Sequence, residues 1–68
     1  MSNNGAGSGS AGLRVLVVED EFLIADYLAA VLEDAGHRVA GMAATGEEAL
    51  AILRSGRPID VVLSLIHI

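Results

Sequence analysis

The chain has 68 residues, enough for at most one small domain, and 53% of them are apolar. It contains no cysteine, which excludes disulfides and thiolate metal sites, and only His37 and His67 could offer an imidazole. Nine acids against four arginines give a net charge of −5, which excludes a basic surface for a phosphate backbone and argues against direct nucleic-acid contact.

Residues 1–12, from Met1 to Gly12, are almost all Gly, Ser, Asn and Ala. They hold no apolar periodicity and are expected to form a flexible tail. Roughly 56 residues remain to build a core, close to the lower limit for folding without a staple. There is no basic start followed by an apolar stretch and no apolar run of membrane-spanning length, so the expected location is the cytoplasm, away from any membrane.

Leu13 to Val18 is a short, β-branched apolar run without alternation, the pattern of a strand buried on both faces of a parallel sheet. It leads directly into Glu19-Asp20-Glu21. From Phe22 to Ala35 the period becomes helical, with Ile24, Leu28, Val31, Leu32 and Ala35 expected on the inward stripe. The preceding acids are expected to favour the positive end of that helix, and Gly36 stands where a helix can end in a left-handed residue.

His37 to Met42 reads as a second, weaker strand. Thr45-Gly46-Glu47-Glu48 then has the form of a capping box, in which the hydroxyl accepts from the third amide and the glutamate reaches back. Ala49, Leu50, Ile52 and Leu53 continue that helix, Gly56 ends it, and Arg57-Pro58 is a turn. A third strand is expected from Ile59 to Leu63. Strand, helix, strand, helix, strand implies an α/β fold with a parallel sheet and right-handed crossovers.

In such sheets ligands gather at the carboxyl ends of the strands. A dinucleotide or P-loop site would need glycines after the first strand, so that amides could approach a phosphate. Here three carboxylates stand instead. They repel a bare phosphate and suit a hard divalent cation such as Mg²⁺, while a purely structural role at the helix start remains the alternative.

Taken together, Arg14 to Glu21, Leu32 to His37, Ala44 to Leu50 and Asp60 to Leu63 resemble the receiver domain of bacterial response regulators, over the span 13–63. The resemblance implies a partial flavodoxin-like sheet, with these three strands ordered 2-1-3 as the start of a 2-1-3-4-5 arrangement. It implies Mg²⁺ as cofactor, held directly by Asp20 and mainly through water by Glu19. It implies a two-component phosphorelay, in which a sensor histidine kinase or phosphotransfer protein is the partner and an aspartate ending the third strand accepts the phosphoryl group. The domain would signal rather than act as an enzyme.

The sequence departs from the family at that third strand, where Asp60-Val61-Val62-Leu63 is followed by Ser64-Leu65. Leu65 occupies the expected phosphoacceptor position and has no oxygen to phosphorylate or to bind a metal. Ser64 is one residue early and would point to the other side of the strand. The chain is therefore expected to be an inactive receiver fragment without a phosphoacceptor. Leu63 to Ile68 also back-translates to CTG TCT CTT ATA CAC ATC, which resembles the transposase end used in sequencing-library adapters, so 64–68 is expected to be a non-native tail. The alternatives are a natural degenerate pseudo-receiver that acts as an interaction module, and a phosphohydrolase of the aspartyl-phosphate type. The latter needs Asp-x-Asp after the first strand, where Glu19 and Glu21 stand instead.

Overall fold

The computed structural model describes residues 12–65; most of the Gly/Ser-rich segment 1–12 and the end of the segment 64–68 lie outside the described residues. The elements in chain order are β1 (Arg14–Val18), α1 (Phe22–Asp34), β2 (Arg38–Ala43), α2 (Gly46–Arg54) and β3 (Val61–Ser64). The three strands form one parallel sheet with β1 in the centre, in the order β2-β1-β3. The α/β class and the 2-1-3 order expected from the alternation are therefore observed. No helix among the described residues is long and apolar enough to cross a membrane.

Hydrophobic burial selects β1 as the centre. Val15, Leu16, Val17 and Val18 are all buried, and Leu16 and Val17 are completely so. Side chains alternate across a strand, so neighbouring residues serve opposite faces. Leu16 and Val18 pack with Ala43, Ala49, Ile52 and Ile59 on the face that α2 covers. Val15 and Val17 serve the other face, with α1 packed over β1 and β2.

The inward stripe of α1 differs from the expected one. Ala25 is buried and Leu28, Ala29 and Leu32 are partly so, whereas Ile24, Val31 and Ala35 are exposed. The helix is apolar on nearly every side, so periodicity alone leaves its rotation undecided. The two alanines at i and i+4 let the backbone approach the sheet closely, and the bulkier Ile24 and Val31 fall on its flank.

Both helices end as their sequences imply. After α1, Gly36 takes φ 95°. Its N–H donates to Glu33 O at 3.0 Å and the His37 N–H donates to Leu32 O at 2.9 Å, the paired bonds of a Schellman motif. Gly56 takes φ 85° after α2. At the start of α2 the Glu48 N–H donates to Thr45 Oγ1 at 3.1 Å, and Glu48 Oε1 accepts from the Ala44 N–H at 2.8 Å. That is the expected capping box, closed one residue further back than the cap.

Strand boundaries shift by one or two residues. β2 begins at Arg38, since the His37 amide serves the Schellman motif. β3 begins at Val61 and runs through Ser64, so Ser64 lies within the strand. Before it, Asp60 is tied to β1 twice over. The Asp60 N–H donates to Arg14 O at 2.8 Å, and the Asp60 carboxylate accepts from the Arg14 N–H at 2.8 Å and from the Arg14 guanidinium at 2.9 and 3.0 Å.

Candidate functional site

The carboxyl ends of β1 and β2 meet beside the start of α1. β1 ends at Val18, and the Glu19 N–H donates to Ala43 O at 2.9 Å, extending the ladder by one residue. That bond draws Glu19 into the sheet end, where it is only 7% exposed and is the one buried charged residue among those described. Asp20, one residue on, has left the ladder and is exposed.

A buried carboxylate is costly unless hydrogen bonds or a cation compensate it. Glu19 Oε2 accepts from the Glu21 N–H at 2.9 Å, its only side-chain hydrogen bond among the described residues. This bond also accounts for the start of α1. Glu21 is the N-cap residue, but its own side chain makes no cap bond and the first turn holds no acid. Of the three acids before α1, Glu19 is the one that hydrogen-bonds there, accepting from the cap residue's amide.

Glu19 and Asp20 line an open cavity of about 290 Å³ together with Phe22, Ala25, Met42, Ala43, Ala44 and Glu48. The structure thus brings both predicted site residues to one rim. It adds Glu48, which the sequence marked only as a helix cap. Its carboxylate is turned toward Ala44, the residue that follows β2, and that turn carries it to the same strand ends. No group of three His, Asp or Glu side chains arranged to hold a metal ion occurs among the described residues.

Leu65 lies at the same end of the sheet. Its N–H donates to Val18 O at 3.3 Å, and its side chain is 54% exposed. Residue 65 is therefore the neighbour, across the β1–β3 ladder, of the strand end that carries Glu19 and Asp20. His37 is engaged elsewhere, where its Nδ1 accepts from the Leu13 N–H at 3.1 Å, at the opposite end of β1. His67 lies outside the described residues.

In chemical terms the rim offers hard oxygen donors and no nucleophile paired with a base. No family model, curated protein or solved structure matches the chain.

Proposed function

We propose that this chain is the first half of a receiver domain of the flavodoxin-like type, carrying the acidic part of a Mg²⁺ site and no phosphoacceptor. The observation that supports this best is the buried Glu19 carboxylate at the end of the central strand, one residue from the exposed Asp20. Burying a charge there has a reason if the site takes a cation, and the adjoining cavity has room for one with its waters.

The donor set fits Mg²⁺ in part. Mg²⁺ is commonly held by one or two carboxylates with the remaining positions filled by water. Asp20 would be the direct ligand and Glu19 would act through water, while Leu65 adds nothing. When bound, the ion would neutralise the acidic rim and let a phosphoryl group approach. Glu19 and Asp20 supply the charge that holds the ion, and the Glu21 amide fixes the direction of the Glu19 carboxylate. In the parent domain the phosphoryl group would come from a sensor histidine kinase or phosphotransfer protein and go to an aspartate at position 65.

Leu65→Asp tests the reading. It should tighten Mg²⁺ binding by on the order of tenfold by adding a third carboxylate to the rim. Amide shifts at Glu19, Asp20 and residue 65 during a Mg²⁺ titration report it, and Asp20→Ala should remove the response. With acetyl phosphate, intact mass should show no phosphoryl gain for the unmodified chain. No tightening in Leu65→Asp, or a stoichiometric phosphoryl gain without it, would overturn the assignment.

A further inference from the structure

Gly12 and Leu13 lead the chain into β1, and both lie against the segment that joins α1 to β2. Leu13 O accepts from the Arg38 N–H at 2.8 Å. The Leu13 N–H donates to His37 Nδ1 at 3.1 Å, a bond across 24 positions of sequence. Gly12 runs beside Gly36 so closely that a methyl group in its place would strike the Gly36 carbonyl oxygen. The bare backbone at Gly12 is what lets the two segments come this near.

The imidazole is held in place from its own backbone. The His37 N–H is spent on Leu32 O at 2.9 Å in the Schellman motif, and the next amide, Arg38, on Leu13 O. The side chain is partly buried. An imidazole nitrogen accepts only through its lone pair, so Nδ1 carries no proton in this arrangement and the neutral ring keeps its proton on Nε2. A second proton would take that lone pair and set an Nδ1–H against the Leu13 N–H, donor against donor.

The next residue provides a built-in comparison. The Arg14 N–H also goes to a side chain, the Asp60 carboxylate, at 2.8 Å. Two successive amides at the start of β1 are therefore held by two titratable groups. Asp60 stays ionised down to about pH 2, because the Arg14 guanidinium and amide bond its charged form. The other charged groups on the surrounding elements are Glu33 and Asp34 at the end of α1 and Arg38 on β2. None of these pairs with His37; the one ion pair among the described residues is Arg14–Asp60. Carboxylates and guanidinium groups ordinarily keep their charge between about pH 5 and 8, and imidazole does not.

We propose that His37 is a pH-operated latch on the start of β1, closed on the Leu13 amide when the ring is neutral and open when it is protonated. Opening frees Gly12 and Leu13 from the α1–β2 junction and leaves the Arg14–Asp60 tie and the ladder beyond it in place. The latch lies at the opposite end of β1 from Glu19 and Asp20, so it is independent of the metal-site reading.

The test is amide hydrogen exchange of the 68-residue chain at about pH 8 and about pH 5, each rate taken relative to the unstructured rate at the same pH. Protection of the Leu13 amide should fall by on the order of threefold to tenfold at the lower pH, the loss of one hydrogen bond, while the Arg14 amide and those between β1 and β2 keep theirs. The midpoint should coincide with that of the His37 ring resonances. His37→Gln, which cannot take up the proton, should abolish the pH response, and His67→Gln should preserve it. Gly12→Ala should expose the Leu13 amide at both pH values by forcing the two segments apart. Leu13 protection that is the same at both pH values, a response that survives His37→Gln or is lost in His67→Gln, or a parallel fall across the whole β1–β2 ladder would each overturn the proposal.

Discussion

β1 has a different neighbour on each side, and the two sides are held by different physics. Toward β2, both helices cover the strands, and the packing of Ala43, Ala49 and Ile52 on Leu16 and Val18 forms a continuous core. Toward β3, neither helix makes a substantial contact, and the strand hangs on its ladder with β1 and on the Arg14–Asp60 pair. Val62 and Leu65 are about half exposed on this side, whereas Ala43 on the β2 side is buried. A sheet this small concentrates its stability where helix, strand and centre coincide, and leaves a strand outside that overlap attached but uncovered.

The sharpest way to break this contrast is to truncate one side chain on each side. Leu16 is fully buried at the centre of the covered half. Leu16→Ala should cost about 2–5 kcal/mol, the usual range for a core leucine that leaves a cavity. A domain of this size has little more than that in reserve, so the variant should be largely unfolded at room temperature. Val62→Ala removes a half-exposed side chain from β3 and should cost under about 1 kcal/mol. Urea unfolding followed by circular dichroism gives both values. Comparable losses would mean that β3 is as well embedded as β2.

The helix starts give a smaller effect of the same kind. α2, on the covered side, has a closed capping box, so Thr45→Ala should cost about 1 kcal/mol. α1 has no side-chain cap at Glu21. Glu21→Ala should therefore change stability by only a few tenths of a kcal/mol, the ordinary range for a surface substitution. A cost at Glu21 matching that at Thr45, in the same unfolding assay, would mean that its carboxylate does work that the geometry does not include.

Local patterns made much of this fold legible. The unbroken run Leu13 to Val18 reads as a strand buried on both faces, and β1 is that strand. Thr45 with Glu48, and the glycines at 36 and 56, fix the helix ends through bonds that involve only nearby residues. The rotation of α1 was not legible, because Leu23, Ile24, Tyr27 and Val31 give it a second apolar face and only the tertiary contact selects Ala25. The irregular register of β2, where Val15 pairs with Val39 and Leu16 with Gly41, was also hidden; the Ala40 carbonyl there accepts from Arg57, a residue 17 positions away. At the candidate site, the acidic pair was visible as a sequence run, but the difference between its members was not. Glu19 is buried and Asp20 exposed because the ladder with Ala43 extends exactly one residue past β1, and no local pattern states where a ladder stops.

The smallest effect concerns the one polar tie on the bare side. The Arg14 guanidinium and backbone N–H both bond the Asp60 carboxylate and lower its pKa from 3.8 to about 2. A carboxyl group whose pKa is lower in the folded chain than in the unfolded one favours folding once it is ionised in both states. The contribution should therefore be complete above about pH 4 and decline as the pH falls toward 2. Asp60→Asn removes the charge and with it this dependence. Stability curves for the two chains should run parallel near neutral pH, converge below about pH 4 and meet near pH 2. The separation should be modest, because the pair lies at the surface, and added salt should narrow it further. Asp60 also ties the start of β3 to β1 through its bonds to Arg14. If loosening it freed the start of β3, exchange of the Leu63 amide, which points toward β1, should quicken in Asp60→Asn while exchange across β1–β2 does not. Equal quickening on both sides would mean that the two halves of the sheet open together and that the contrast between them is one of exposure alone.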